Sequence, residues 1–183
     1  MTKQIFDKYF NWLESFSDVQ ERKLKIAPHE KNFKHDSLTQ KMDELLKKIN
    51  IQSILDYGAG LCRNLPLLKR YADSIDYLDL ECYREHTQNI RYDNKFYIDL
   101  IPYNLNKKYD LIYASVVLQH IVDKEIVQKI ITFMYETGKY LLIVQHPLAP
   151  IIDMDDKFEL IFSEKHDGHF YNLYKSKNES FQK

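Results

Sequence analysis

The sequence predicts an α/β fold: a doubly wound, mostly parallel seven-stranded sheet with an antiparallel C-terminal hairpin, preceded by N-terminal helices. Three observations predict it. From residue 51 onward, short apolar runs alternate with segments of helical periodicity, the pattern of a parallel sheet covered on both faces. The first run, Ile54-Leu55-Asp56-Tyr57, ends in an acidic residue and a glycine bend, Gly58-Ala59-Gly60. After the fifth run the periodicity changes to strict alternation around Asp167-Gly168, a two-residue hairpin signal. One domain is expected across the 183 residues, with a helical cap or lid over 1–50, the core over 51–175 and a frayed tail over 176–183.

Residues 5–16 place Ile5, Phe6, Tyr9, Phe10, Trp12, Leu13 and Phe16 on one helical face. Polar, irregular sequence with Pro28 follows over 17–36. Asp36-Ser37 is the expected cap of a second helix, whose stripe is Leu38, Met42, Leu45, Leu46 and Ile49. A strand over 52–57 precedes a helix near 62–72, where Pro66 is tolerated only in the first turn because its missing N–H has no partner there. A strand over 75–80 leads to a short helical piece near 81–90, and a strand over 96–99 to a loop with Pro102, Asn104 and Asn106. After a strand over 109–114, Ile126, Val127, Ile130, Ile131, Met134 and Tyr135 mark a helix that starts near Asp123 and is closed by Gly138 at the usual stop position. The strand over 140–145 is continuously apolar, as a central buried strand should be. Phe158, Leu160 and Phe162 alternate before a type I′ turn at Asp167-Gly168, with Phe170, Asn172 and Tyr174 beyond it.

Composition narrows the function classes. A net charge of −1 sets up no global field toward nucleic acid. Hydrophobic residues at 44% and charged residues at 29% suit a soluble chain, and no apolar run reaches bilayer length. Met1-Thr2-Lys3-Gln4 opens an amphipathic segment and not a signal-peptide core. Cys62 and Cys82 are too few for a disulfide framework and lack metal spacing, so a reducing cytoplasm is expected and no metal. Arg22, Lys23, Lys25, Lys31 and Lys34, with His29 and His35, form one basic segment, open to two readings: a solvated surface or a dock for an anionic substrate. Fourteen tyrosines and ten phenylalanines against four glycines suggest bulky aromatic surfaces, some lining a pocket.

The chemistry is read from strand ends. Glycines at 58 and 60 let the backbone turn tightly and approach a ligand closely, and the amides of the next helix face its polar atoms. About twenty residues later Tyr77-Leu78-Asp79-Leu80-Glu81 is a second strand ending in acid, where a doubly wound sheet holds a ribose diol. The pair reads as a site for an adenosine-containing ligand, with a purely structural turn as the alternative. A dinucleotide site needs G-x-G-x-x-G, but the sixth position is Arg63, and Asp56 suits an amine better than a pyrophosphate.

The arrangement Asp56-x-Gly58-x-Gly60 resembles the first motif of class I S-adenosylmethionine-dependent methyltransferases. A frequent third glycine is replaced by Cys62, a small residue. The reversed terminal strand is a second mark of that family, and the resemblance covers roughly residues 50–175. It implies S-adenosyl-L-methionine as cofactor, with Gly58, Ala59 and Gly60 along its methionine portion and Asp56 facing the amino group. Asp79 with Leu80 would hold the ribose, Asp99 and Leu100 the adenine, and Ala114 and Ser115 would lie beneath the methionine end. Glu81 is a rival for the ribose role. Tyr9 is the pocket contact expected from the N-terminal segment, where an aromatic face attracts a sulfonium.

Methyl transfer needs alignment more than reactive groups, and a general base only where the acceptor holds its proton tightly. The candidates are His146, at the tip of the fifth strand, and His120, for which packing or loop support is the stronger reading. His166 and His169 flank the turn and read as hairpin surface. The expected partner is a small-molecule acceptor with an oxygen or nitrogen to methylate. RNA or protein substrates, a catalytically silent cofactor-binding domain and a nicotinamide-dependent oxidoreductase are the alternatives, the last opposed by Arg63 and the terminal hairpin.

Overall fold

The computed structural model describes residues 38–98, 105–121 and 123–181. Tyr9, Asp99, Leu100, the basic segment 22–35 and the helix expected over 5–16 lie outside the described residues.

Helix α1 (Gln40–Lys48) is capped by Thr39, whose hydroxyl accepts the Met42 N–H at 3.3 Å, and it buries Met42 and Leu46 from the expected stripe. Strands β1 (Ser53–Tyr57), β2 (Ser74–Leu80), β3 (Lys95–Ile98), β4 (Tyr109–Ser115), β5 (Gly138–Gln145), β6 (Phe158–His166) and β7 (His169–Ser176) form one sheet in the order β3-β2-β1-β4-β5-β7-β6. The first five run parallel, and β7 lies antiparallel to both β5 and β6. The predicted doubly wound sheet with a reversed terminal hairpin is therefore the observed one. Short helices α2 (Leu65–Leu68) and α3 (Arg84–Thr87), with the longer α4 (Lys124–Thr137), occupy the crossovers.

Strand alternation sorts the core into two layers. Leu55, Tyr57, Ile112, Ala114, Leu141 and Ile143 face α4, packing on Ile130, Ile131, Phe133 and Met134. Ile54, Ile75, Leu111, Tyr113, Leu142, Val144, Tyr171 and Leu173 face the opposite way, onto α1 and α2. That second face carries the polar residues of the strand ends, because Asp56, Asp79 and Ser115 keep its parity.

Four elements depart from expectation, each for a physical reason. Helix α2 is four residues long and not eleven, since Cys62 adopts a left-handed φ of 63° and Pro66 can enter only at the start of the helix. Gly138 is not a left-handed stop: its φ is −112°, and it is already the first residue of β5. Glycine is needed there for close approach, because a Cβ would sit 2.7 Å from Ile112 Cδ1 and 3.0 Å from the Met134 carbonyl. In β6 a bulge between Leu160 and Phe162 breaks the alternation, leaving Leu160 52% exposed and moving Phe162 to the layer opposite Phe158. The tail is docked as far as Phe181: Asn178 Nδ2 donates to the Tyr135 carbonyl at 3.1 Å, and Glu179–Phe181 form a short 3₁₀ turn. The hairpin turn is as predicted, with φ of 47° at Asp167 and 77° at Gly168, both positive as a type I′ turn requires.

Candidate functional site

The glycine bend and the acid at the end of β2 meet directly. Gly58 and Gly60 have φ of 67° and 54°, left-handed values open to glycine, and the bend folds over the end of β2. Gly58 N–H donates to the Leu78 carbonyl at 2.8 Å, and Gly60 N–H donates to Asp79 Oδ2 at 2.6 Å. Asp79 Oδ1 accepts from the Leu80 N–H at 2.7 Å, so backbone amides fix the carboxylate at both oxygens. Tyr77 hydroxyl donates to the Gly60 carbonyl at 3.2 Å and braces the bend from below. Glu81, the rival for this position, points instead at solvent, with Oε2 accepting from Arg84 Nη2 at 2.8 Å.

Asp56 is buried on the same face, one strand over. Its Oδ2 accepts from the Tyr92 hydroxyl at 2.8 Å, from the loop between α3 and β3. Burial raises the Asp56 carboxyl to about 7; the Tyr92 donation opposes the rise, the Asp79 charge adds to it, and Arg63 lowers it. Burial likewise pushes the Cys62 thiol up to about 12, so this cysteine is not a thiolate nucleophile near neutral pH.

At the tip of β4 Ala114 and Ser115 are buried. Burial holds the Tyr113 hydroxyl well above its ordinary pKa, and the neighbouring Ser115 hydroxyl opposes that rise. Both oxygens are buried polar atoms without a hydrogen bond among the described residues. The next residue, Val116, takes a left-handed φ of 58°, strained for a β-branched side chain, with its N–H held by the Val144 carbonyl at 2.7 Å. Val117 then fills the space against Gly58: a Cβ on Gly58 would lie 2.6 Å from Val117 Cγ1.

The histidines complete the row. His120 is buried on the short turn Leu118–His120. Its neighbour Gln119, which sequence reasoning passed over, accepts the His146 backbone N–H at 2.7 Å and so ties the β4 tip to the β5 tip. His146 Nδ1 accepts from the Leu148 N–H at 3.2 Å. His169, expected on the hairpin surface, is only 6% exposed, because β7 turns it inward beside β5. The His146 and His169 rings stand 5.9 Å apart at 84°. His166, half-buried, keeps the expected turn position, with Nε2 3.3 Å from Asp167 Oδ2.

No protein-family model and no curated protein matches the chain. Among solved structures, the N-methyltransferase NodS from Bradyrhizobium japonicum WM9, in complex with S-adenosyl-L-homocysteine, aligns over 87% of this chain and 97% of that chain, with a TM-score of 0.63 at 11% identity. The chain has the class I methyltransferase fold. TehB from Haemophilus influenzae is similar at a TM-score of 0.54 and 19% identity, over 76% of this chain and 63% of that one. The 16S rRNA methylase RmtB follows at a TM-score of 0.52 and 16% identity, again over 76% and 63%.

Across this fold Asp79, Asp56, Ser115 and His146 line up along the carboxyl ends of β2, β1, β4 and β5, and His169, at the amino end of the antiparallel β7, continues the row. Sequence reasoning reached the first four. It missed Tyr92, Gln119 and His169: the first two act across long sequence gaps with no local pattern, and the third depends on which strand β7 pairs with. Among the described residues, no three His, Cys, Asp or Glu side chains group as a metal site, and no helix is long and apolar enough to cross a membrane.

Proposed function

We propose that the chain is an S-adenosylmethionine-dependent methyltransferase that carries a methyl group to an oxygen or nitrogen of a small-molecule acceptor. The observation that carries the reading is the contact between the Gly60 amide and the Asp79 carboxylate, which joins a close-approach bend to a diol-binding acid. The donor set suits such a ligand. The Gly60 and Leu80 amides fix the carboxylate of Asp79 at the end of β2, where a doubly wound sheet holds a ribose diol. The buried Ser115 hydroxyl, without a hydrogen bond among the described residues, would serve the amino-acid end of the ligand.

When bound, S-adenosylmethionine supplies a methyl carbon already activated by its sulfonium. The chain supplies alignment. Asp79 would hold the ribose, Gly58 to Gly60 would admit the ligand against the backbone, and Asp56, steadied by Tyr92, would face the amino group. Tyr9, Asp99 and Leu100 keep their expected contacts as part of this proposal, and so does a lid role for the N-terminal segment. Alignment of this kind lowers barriers by several kcal/mol without a reactive protein group.

Calorimetric titration of S-adenosylmethionine, S-adenosylhomocysteine and NAD against the purified protein tests the reading. Binding of the two sulfur ligands and not of NAD is expected; the reverse pattern overturns it.

A further inference from the structure

We propose that Tyr92 is a positioning residue for the cofactor: its hydroxyl holds Asp56 Oδ2, assigns Oδ1 to the amino group of the methionine end, and so selects for ligands that carry that amine. This rests on the methyl-transfer reading above and adds the residue that sets selectivity at that end of the same site.

Two buried aspartates show what sets Asp56 apart. Asp76, fully buried on β2, accepts from the Asn94 N–H at 3.1 Å, Asn94 Nδ2 at 2.9 Å, the Tyr109 hydroxyl at 2.8 Å and Lys107 Nζ at 2.7 Å. Four donors, one of them an ammonium, complete that carboxylate within the protein. Asp56 is buried as deeply, yet among the described residues it accepts one hydrogen bond, from the neutral Tyr92 hydroxyl at 2.8 Å. Arg63 acts on it through its charge, without an ion pair among the described residues. A carboxylate buried with one neutral donor is unfavourable until a cation joins it, and the amino group of the proposed cofactor is such a cation.

Tyr92 is held firmly enough to orient its partner. Asp56 stands in register between Tyr77 on β2 and Tyr113 on β4, and Tyr92 reaches it from the loop before β3. That loop is fixed on both sides of the tyrosine: the Ile90 N–H donates to the Thr87 carbonyl at 3.0 Å and the Asp93 N–H to the Ile75 carbonyl at 2.9 Å. The Tyr92 ring meets the Tyr77 ring edge-on at 5.3 Å, and the Tyr77 hydroxyl donates to the Gly60 carbonyl. One side chain therefore braces both the glycine bend and the donor that fixes Asp56. A phenylalanine at position 92 would pack in the same way and leave the carboxylate free to turn.

The same contact sets the pH at which the amine is gripped. Burial raises the Asp56 carboxyl to about 7, the Tyr92 donation opposes that rise, the Asp79 charge adds to it and Arg63 lowers it. Cys62, Tyr77 and Tyr113, the other titratable neighbours, are kept neutral by burial. An ammonium pairs with the ionised carboxylate, so affinity for the amine rises as pH rises through about 7. Loss of the Tyr92 donation removes an influence that holds the carboxyl down, and the midpoint of that rise moves to higher pH.

The test compares S-adenosylhomocysteine with 5′-S-(3-carboxypropyl)-5′-thioadenosine, the same thioether without the amino group, by calorimetry from about pH 5.5 to about pH 8. The wild type should bind S-adenosylhomocysteine more tightly, with an affinity that climbs through about pH 7, and the deaminated analogue without that climb. Tyr92→Phe keeps the ring against Tyr77 and loses the hydroxyl. Near neutral pH it should bind S-adenosylhomocysteine about tenfold more weakly, with the midpoint displaced to higher pH, and bind the analogue as the wild type does. In an Asp56→Asn background, Tyr92→Phe should change neither affinity further, since the hydroxyl acts through the carboxylate. Equal effects on the two ligands, an unmoved midpoint, a further loss in the Asp56→Asn background or a Tyr92→Phe protein that does not fold assigns the hydroxyl to the fold alone and overturns the proposal. Failure of S-adenosylhomocysteine to bind the wild-type protein sinks the methyl-transfer reading instead, so the two failures are distinguishable.

Discussion

Gly60 and Asp79, 19 residues apart in sequence, are joined by a backbone N–H donated to a carboxylate oxygen at 2.6 Å. The charge of Asp79 thus shapes the bend. Replacing Asp79 with Ala removes the acceptor of both the Gly60 and Leu80 amides, and each charge-assisted bond is worth about 1.5–3 kcal/mol. Asp79→Ala should lose S-adenosylhomocysteine binding by more than about tenfold in calorimetry and lower the urea midpoint. Unchanged binding would remove Asp79 from the site.

Asp56 gives the protein a stability profile that depends on pH. Its folded carboxyl titrates near 7 against an ordinary value of 3.8, so the stability tied to its protonated form is complete below 3.8 and is lost as pH rises through about 7. Asp56→Asn keeps an acceptor for the Tyr92 hydroxyl and cannot ionise. Urea unfolding across this window should show the wild type losing a few kcal/mol relative to the variant, at about 1.4 kcal/mol for each tenfold gain in proton affinity on folding. Parallel curves for the two proteins would refute the assignment.

Gly58 is constrained twice, by a φ of 67° and by Val117. Gly58→Ala should destabilise by roughly 2 kcal/mol or more, combining left-handed strain with overpacking. In Gly58→Ala/Val117→Ala the collision is gone and only the strain remains, so the double variant should be less unstable than the sum of the two single ones. Simple additivity would show that Val117 is not the obstacle.

Val116 is strained where glycine would not be, at a φ of 58°. Val116→Gly should raise stability by about 1 kcal/mol, the relief of left-handed strain exceeding the added chain entropy of the unfolded state. A fall in the urea midpoint would mean that the packing of Val116 against the α1 and α2 layer outweighs its strain.

The elements and the meeting of Gly60 with Asp79 were legible because they rest on local rules. Strand runs, the glycine bend and a strand-end acid at fixed spacing specify Gly60 and Asp79 without knowledge of the fold. The Asp167-Gly168 turn set the pairing of His166 with His169 by the same local chemistry. It could not say that β7 would lie against β5, and so His169 read as surface. Tyr92 reaches Asp56 across 36 residues from a polar loop, a contact with no periodic signature. Gly138 was read at the right boundary for the wrong reason, since its need comes from Ile112, a residue on another strand. The bulge in β6 was invisible because each residue there, Leu160, Ile161 and Phe162, has strand propensity on either face.

Helix α4 ends at Thr137 and β5 begins at Gly138, so the chain passes from one to the other with no spare residue between them. An insertion of a single amino acid at this junction has no loop to disappear into and must be absorbed by the strand. Leu142, Val144 and His146 would then trade sides with Leu141, Ile143 and Gln145, turning the imidazole away from its partner on β7.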